Sequence, residues 1–204
     1  MKKTIHNALL VSLAMLIGGF ANCSTKPYIN VNYRVPLFSY DLAGKKVFLE
    51  IKDMRFHKDI FSEKAKTKFK NFTGLFLLSL SENQKNDYVT GAFDILSLFQ
   101  TVFSRRLENM GIEILTERKE TEPVIEIDLN RFFLDLSDGK WIADISYEAR
   151  LTKENRLLAR ETISANAKRY KWYSQGDVEK VLGEVFTDVV NDIDFVKLFQ
   201  QAEQ

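Results

Sequence analysis

Val124 to Tyr170 reads VIEIDLNRFFLDLSDGKWIADISYEARLTKENRLLARETISANAKRY. Val124, Ile125, Ile127 and Leu129 lead at a period of two into Phe132 to Leu136. Two is the repeat of side chains that alternate across a sheet. Ser137-Asp138-Gly139-Lys140 then supplies a glycine-containing hairpin turn, and Trp141 to Leu151 is the return strand. Lys153-Glu154-Asn155-Arg156 makes a second turn, and Leu157 to Tyr170 a third strand. The stretch is an antiparallel meander.

Upstream of the meander, Gly44 opens a strand over Lys46 to Asp53, in which Val47, Leu49 and Ile51 alternate with Phe48, Glu50 and Lys52. Leu75 to Leu80 (LFLLSL) is apolar almost throughout and is expected as a central, buried strand. A polar loop, Ser81 to Asn86, precedes the clearest helix. There Asp94, Ile95, Leu98, Phe99, Val102, Phe103, Leu107 and Met110 mostly recur at i, i+3, i+4, and Gly111 stands where a C′ glycine belongs. Glu113 to Leu115 reads as a short strand. Downstream, Tyr170-Lys171-Trp172-Tyr173 reads as a cover over one end of the core, or as a stacking surface for a ligand. Asp177 is the expected N-cap of a last helix whose inner face is Val178, Val181, Leu182, Val185, Phe186 and Val189. Phe195 to Phe199 continues the apolar pattern into a docked C-terminus. Together these elements predict a single α+β domain over residues 44–204: a mostly antiparallel sheet with two main helices packed on one face. Ser24 to Leu42, with Pro27 and Pro36 and no sustained period, reads as an extended tether, giving a segment 23–43 ahead of the domain.

Residues 1–22 have the order of an export signal. Lys2 and Lys3 are followed by an apolar Ala8 to Ala21, and the only cysteine, Cys23, closes the segment. The apolar run is short for a bilayer span, which needs about 20 residues. Three fates stay open: lipidation at Cys23, cleavage after Ala21 on the small-x-small pattern of Gly19 and Ala21, or an uncleaved anchor. Phe20-Ala21-Asn22-Cys23 resembles a bacterial lipobox, with Phe where Leu is usual and Asn where Gly or Ala is usual. Acylation of Cys23 would also account for an odd cysteine in an exported protein. Ser24 in place of Asp favours the outer membrane, facing either the periplasm or the cell exterior.

Removing Lys2 and Lys3 takes the formal charge from +1 to −1, so no global charge argues for nucleic acid. Beyond the signal there is one histidine, His57, and a metal site wants three or four ligands. No GxSxG, GxGxxG, P-loop or HExxH pattern occurs. No enzyme activity, cofactor, metal or small-molecule ligand is expected. Two local features stand out. Asp53 and Arg55, two apart at a strand end, read as a structural turn, in which the carboxylate caps backbone N–H groups or pairs with the guanidinium, with a ligand site as the sharper alternative. Lys64, Lys66, Lys68 and Lys70 fall at every second position, and on a strand they would form one basic face. That face is either a lysine-guarded edge or a contact for anionic lipid or an acidic partner.

The pattern is similar to that of the YajG-type envelope lipoproteins and, more loosely, of the auxiliary lipoproteins of ABC transport systems. The resemblance is carried by the Lys46–Asp53 strand running into Asp53-Met54-Arg55, by the helix ending Arg106-Leu107-Glu108-Asn109-Met110-Gly111, by Leu136-Ser137-Asp138-Gly139, and by Val185 to Ile193 (VFTDVVNDI). It implies a non-enzymatic envelope component. The signal–Cys23 segment joined to a domain without chemical motifs then reads as a lipid-anchored protein that docks on a protein partner in an assembly or transport complex. The alternatives are a lipid- or glycolipid-binding accessory using the Lys64–Lys70 stripe, or a soluble periplasmic protein if the lipobox is not processed.

Overall fold

The computed structural model describes residues 27–82, 86–170 and 176–203. Among the described residues, eight strands form two sheets. The smaller has the order β1-β3-β4, from Tyr28–Val35 (β1), Leu75–Glu82 (β3) and Asn86–Phe93 (β4). The larger has the order β5-β2-β6-β7-β8, from Lys46–Asp53 (β2), Glu113–Ile114 (β5), Val124–Ser137 (β6), Lys140–Lys153 (β7) and Arg156–Tyr170 (β8). β1 runs parallel to β3, and β2 parallel to both β5 and β6, while the long ladders β6–β7 and β7–β8 are antiparallel. The helices are a single turn at Glu63–Lys66 (α1), then Ile95–Glu108 (α2), Gly176–Asn191 (α3) and Phe195–Ala202 (α4).

The meander forms as its turns dictate. Asp138 and Gly139 have φ of 52° and 70°, and Glu154 and Asn155 have 51° and 60°, which are the two consecutive positive values of a type I′ hairpin. Within β6 the apolar set shifts from odd positions (Ile125, Ile127, Leu129) to even ones (Phe132, Leu134). The register slips between Leu129 and Arg131, so one extra residue keeps both sets facing the core.

Helices α2, α3 and α4 lie on the inner face of the large sheet, and α3 also runs along β1. Gly183 permits that approach: a Cβ there would stand 3.1 Å from the Asn32 carbonyl oxygen. Phe76 of β3 meets Phe132 of β6 edge-on at 5.3 Å, and Phe99 of α2 meets Phe132 and Phe186, so one aromatic core joins both sheets and both main helices. Asp94 caps α2 by accepting from the Ser97 N–H at 2.8 Å.

Several expectations are corrected. The extended tether is, from Tyr28, a core strand. Ile29, Val31 and Tyr33 are fully buried, so the folded domain begins near Tyr28 and not at 44. β4, at Asn86–Phe93, follows the expected loop where no element was expected. Asp177 sits inside the first turn of α3, where its charge faces the positive end of the helix. Lys171, Trp172 and Tyr173 lie outside the described residues.

Candidate functional site

The segment Met54 to Thr73 connects β2 of the large sheet to β3 of the small one, and it carries both local features. Its first anchor is the end of β2. Arg55 donates from Nε to Asp53 Oδ1 and from a terminal nitrogen to Oδ2, both at 2.9 Å, and its backbone N–H reaches the same carboxylate at 3.1 Å. Lys58 Nζ stands 3.1 Å from the carboxylate and donates to the Asp53 carbonyl oxygen at 2.9 Å. The Arg55 side chain is buried. The hydrogen bonds from Arg55, reinforced by Lys58, hold the Asp53 carboxyl down at about 2.

The second anchor is aromatic. Phe61 bridges to Leu134 of β6 and stacks on Phe69 at 5.0 Å with the rings 7° apart, and Phe69 in turn meets Trp141 at 5.7 Å. Between these phenylalanines lies α1, whose N-cap Ser62 accepts from the Ala65 N–H. Ala65 and Phe69, four apart, are the buried pair. The basic strand face expected over Lys64, Lys66, Lys68 and Lys70 is therefore a helical turn followed by tight turns. An apolar spacing of four and a serine cap prevail over the alternation of lysines. The four lysines are nonetheless all exposed. Among the described residues no ion pair neutralises them. Met54 and Phe56 are exposed as well, Phe56 to 91 %. Phe56 meets the His57 ring edge-on at 4.8 Å.

The segment closes on the start of the fold. Both the Thr73 N–H and its hydroxyl donate to the Pro27 carbonyl oxygen at 2.8 Å. Cys23 itself lies outside the described residues.

Sequence reasoning missed a charged cluster on the outer face of the large sheet. Glu126 and Asp128 of β6 are buried, and a terminal nitrogen of Arg150 on β7 stands 2.8 Å from one and 2.6 Å from the other. Lys52 of β2 adds a 3.4 Å contact to Glu126. Burial pushes the Asp128 carboxyl above its usual value despite Arg150. The cavity beside His57 is lined by Asp59, Glu63 and Arg131, and by neither of these two acids, so His57 and the buried pair do not converge. No group of acids, histidines and cysteines among the described residues could hold a metal ion.

No protein-family model matches this sequence, and no curated protein matches it. Solved structures do. A Xanthomonas campestris protein of family DUF330 superposes with a TM-score of 0.54 at 14% identity, over 86% of this chain and 99% of that one. A minor lipoprotein from Acinetobacter baumannii gives a TM-score of 0.41 at 11% identity, over 82% of this chain and 94% of that one. A neuraminyllactose-binding hemagglutinin homolog from Helicobacter pylori gives 0.40 at 10% identity, over 79% and 92%. At such identities the first likeness is one of fold, and this chain shares the DUF330 protein's fold. Among the described residues no helix is long and apolar enough to cross a membrane.

Proposed function

We propose that this protein is a non-enzymatic bacterial envelope lipoprotein, held in the outer membrane by acyl chains on Cys23 and acting as an accessory or docking component of an envelope assembly or transport complex. The carrying observation is the junction between an export signal ending at Cys23 and a fold whose first buried strand starts at Tyr28. The four residues Ser24 to Pro27 are all that separates them. The domain would then ride directly on the bilayer and not on a stalk.

The docking part of the reading draws support from the other end of β1. Leu37, Phe38 and Tyr40 are exposed to 76 %, 58 % and 69 %, and Phe38 and Tyr40 stack at 6.1 Å. Tyr40 has φ of 53°, a left-handed conformation that a bulky side chain adopts at a cost. An exposed aromatic residue held under strain suits an apolar protein surface, which supports this reading.

The anchor is tested by Cys23→Ala in cells. The variant is expected in the soluble periplasmic fraction, with the parent protein in the membrane pellet. Equal sedimentation of both would overturn the lipoprotein reading. A photo-crosslinker at position 38 tests docking. A discrete adduct that vanishes on Tyr40→Gly supports it, and a smear unchanged by the substitution counts against it.

A further inference from the structure

The charge of the mature chain is divided unevenly. Met54 to Thr73 holds six cations (Arg55, Lys58, Lys64, Lys66, Lys68, Lys70) against two acids (Asp59, Glu63), a formal +4. Cys23 to Gln204 carries −1 in all, so everything outside this segment sums to −5. The +4 is not diffuse. Arg55 and Lys58 are engaged by Asp53, which leaves the four lysines around α1 as the exposed excess. The same segment exposes Met54 and Phe56.

Phe56 and Lys66 lie on adjoining cavities of this segment. Phe56 and Glu63 line one cavity, and Lys58, Lys66, Phe72 and Gly74 line another, with Asp59 and Phe61 common to both. Thr73 grips Pro27, so the described chain begins against this segment. Four residues span at most about 14 Å when extended.

We infer that Met54 to Thr73 is the face that rests on the membrane. Lys64, Lys66, Lys68 and Lys70 meet the phosphates of anionic phospholipid, and Phe56 and Met54 enter the interfacial zone. The inference rests on the anchoring of Cys23 proposed above and adds an orientation to it. The short tether keeps this segment near the membrane surface, and the attraction of anionic headgroups for lysines acts within a Debye length of about 8 Å. An apolar tip amid cations is the composition that lies in a bilayer surface. The Leu37–Tyr40 loop, at the far end of β1, then points away from that surface.

The test uses the mature chain 23–204 carrying Cys23→Ala, with vesicles of phosphatidylglycerol in phosphatidylcholine and of phosphatidylcholine alone. Binding is expected only to the first and is expected to weaken as salt rises. Changing the four lysines to Gln should lower it by roughly three orders of magnitude. Phe56→Ser should lower it about tenfold with the salt slope kept. Phe38→Ser, at the other end, should leave it unchanged. Binding that ignores the lysine changes, or that falls equally with Phe38→Ser, overturns the assignment. So does an absence of binding to either vesicle while the acylated parent still sediments with membranes, an outcome that leaves the anchor reading standing. On the anchored protein, Lys64 to Lys70 should be protected from an amine-reactive reagent relative to Lys45 and Lys46. Equal labelling, or crosslinking of these lysines to an acidic protein instead of lipid, also overturns it.

Discussion

The two ends of β1, about 23 Å apart for a strand of this length, are built on opposite plans. At the Tyr28 end the connecting segment buries Ala65 and Phe69 and turns four lysines outward. At the Val35 end the loop to β2 is fixed by its main chain. The Ser39 N–H donates to the Asn109 carbonyl oxygen and the Leu42 N–H to that of Met110, both at 3.0 Å, while Asn109 Nδ2 holds the Pro36 carbonyl oxygen at 3.0 Å. The side chains of Leu37, Phe38 and Tyr40 are left outside. The first end is held chiefly by buried side chains, the second by hydrogen bonds to its main chain. Substitutions should therefore cost stability at the first end. At the second they should cost little stability, because those side chains lie outside the packed core.

Phe69→Ala should strain this comparison hardest. It removes the stack on Phe61 and the contact with Trp141 from a buried site, at a cost of about 3 kcal/mol. Urea unfolding measures it, and a loss below about 1 kcal/mol would mean that the segment is not packed as described.

Acid should act next, again at the Tyr28 end. Arg55 lowers the Asp53 carboxyl from its usual 3.8 to about 2. A depressed carboxylate contributes stability that is fully present above its unfolded value and is lost as pH falls through the folded one. That contribution, about 1–2 kcal/mol, should fade between pH 4 and 2. Thermal unfolding across this window should show it, with the slope reduced in Arg55→Ala and preserved in Phe38→Ser.

Tyr40→Gly should give the smallest change, and with the opposite sign. Relief of a left-handed tyrosine raises stability by about 0.5 kcal/mol while the proposed docking surface loses an aromatic ring. A clear destabilisation would show that Tyr40 serves the fold.

Much of the architecture was legible in the sequence because the signals were local. Both hairpins of the meander announce themselves in Asp138-Gly139 and Glu154-Asn155, and α2 in an apolar stripe opened by Asp94 and closed before Gly111. β1 was legible in principle, since Ile29, Val31 and Tyr33 alternate with Asn30, Asn32 and Arg34. The prolines that bracket it drew the reading toward a linker. β4 gave no signal because it is an edge strand, interrupted by Gly91 and paired to β3 through its backbone. Asp53 and Arg55 could be paired by eye because two residues at a turn need no tertiary information. Glu126 and Arg150 could not. They face each other only because the register slips near Asn130, and without that slip Arg150 would oppose Ile127. The lysine stripe misled through its period. The spacing of Ala65 and Phe69 was the signal that mattered.

The central claim is that the polypeptide ends its export at Cys23 and is held there by lipid, with the fold beginning five residues later. Mass spectrometry of the N-terminal peptide of the protein extracted from membranes tests it most directly. The predicted result is a peptide starting at Cys23 and carrying the added mass of acyl chains. An unmodified peptide starting at Asn22, or one that retains residues of the signal, would contradict it.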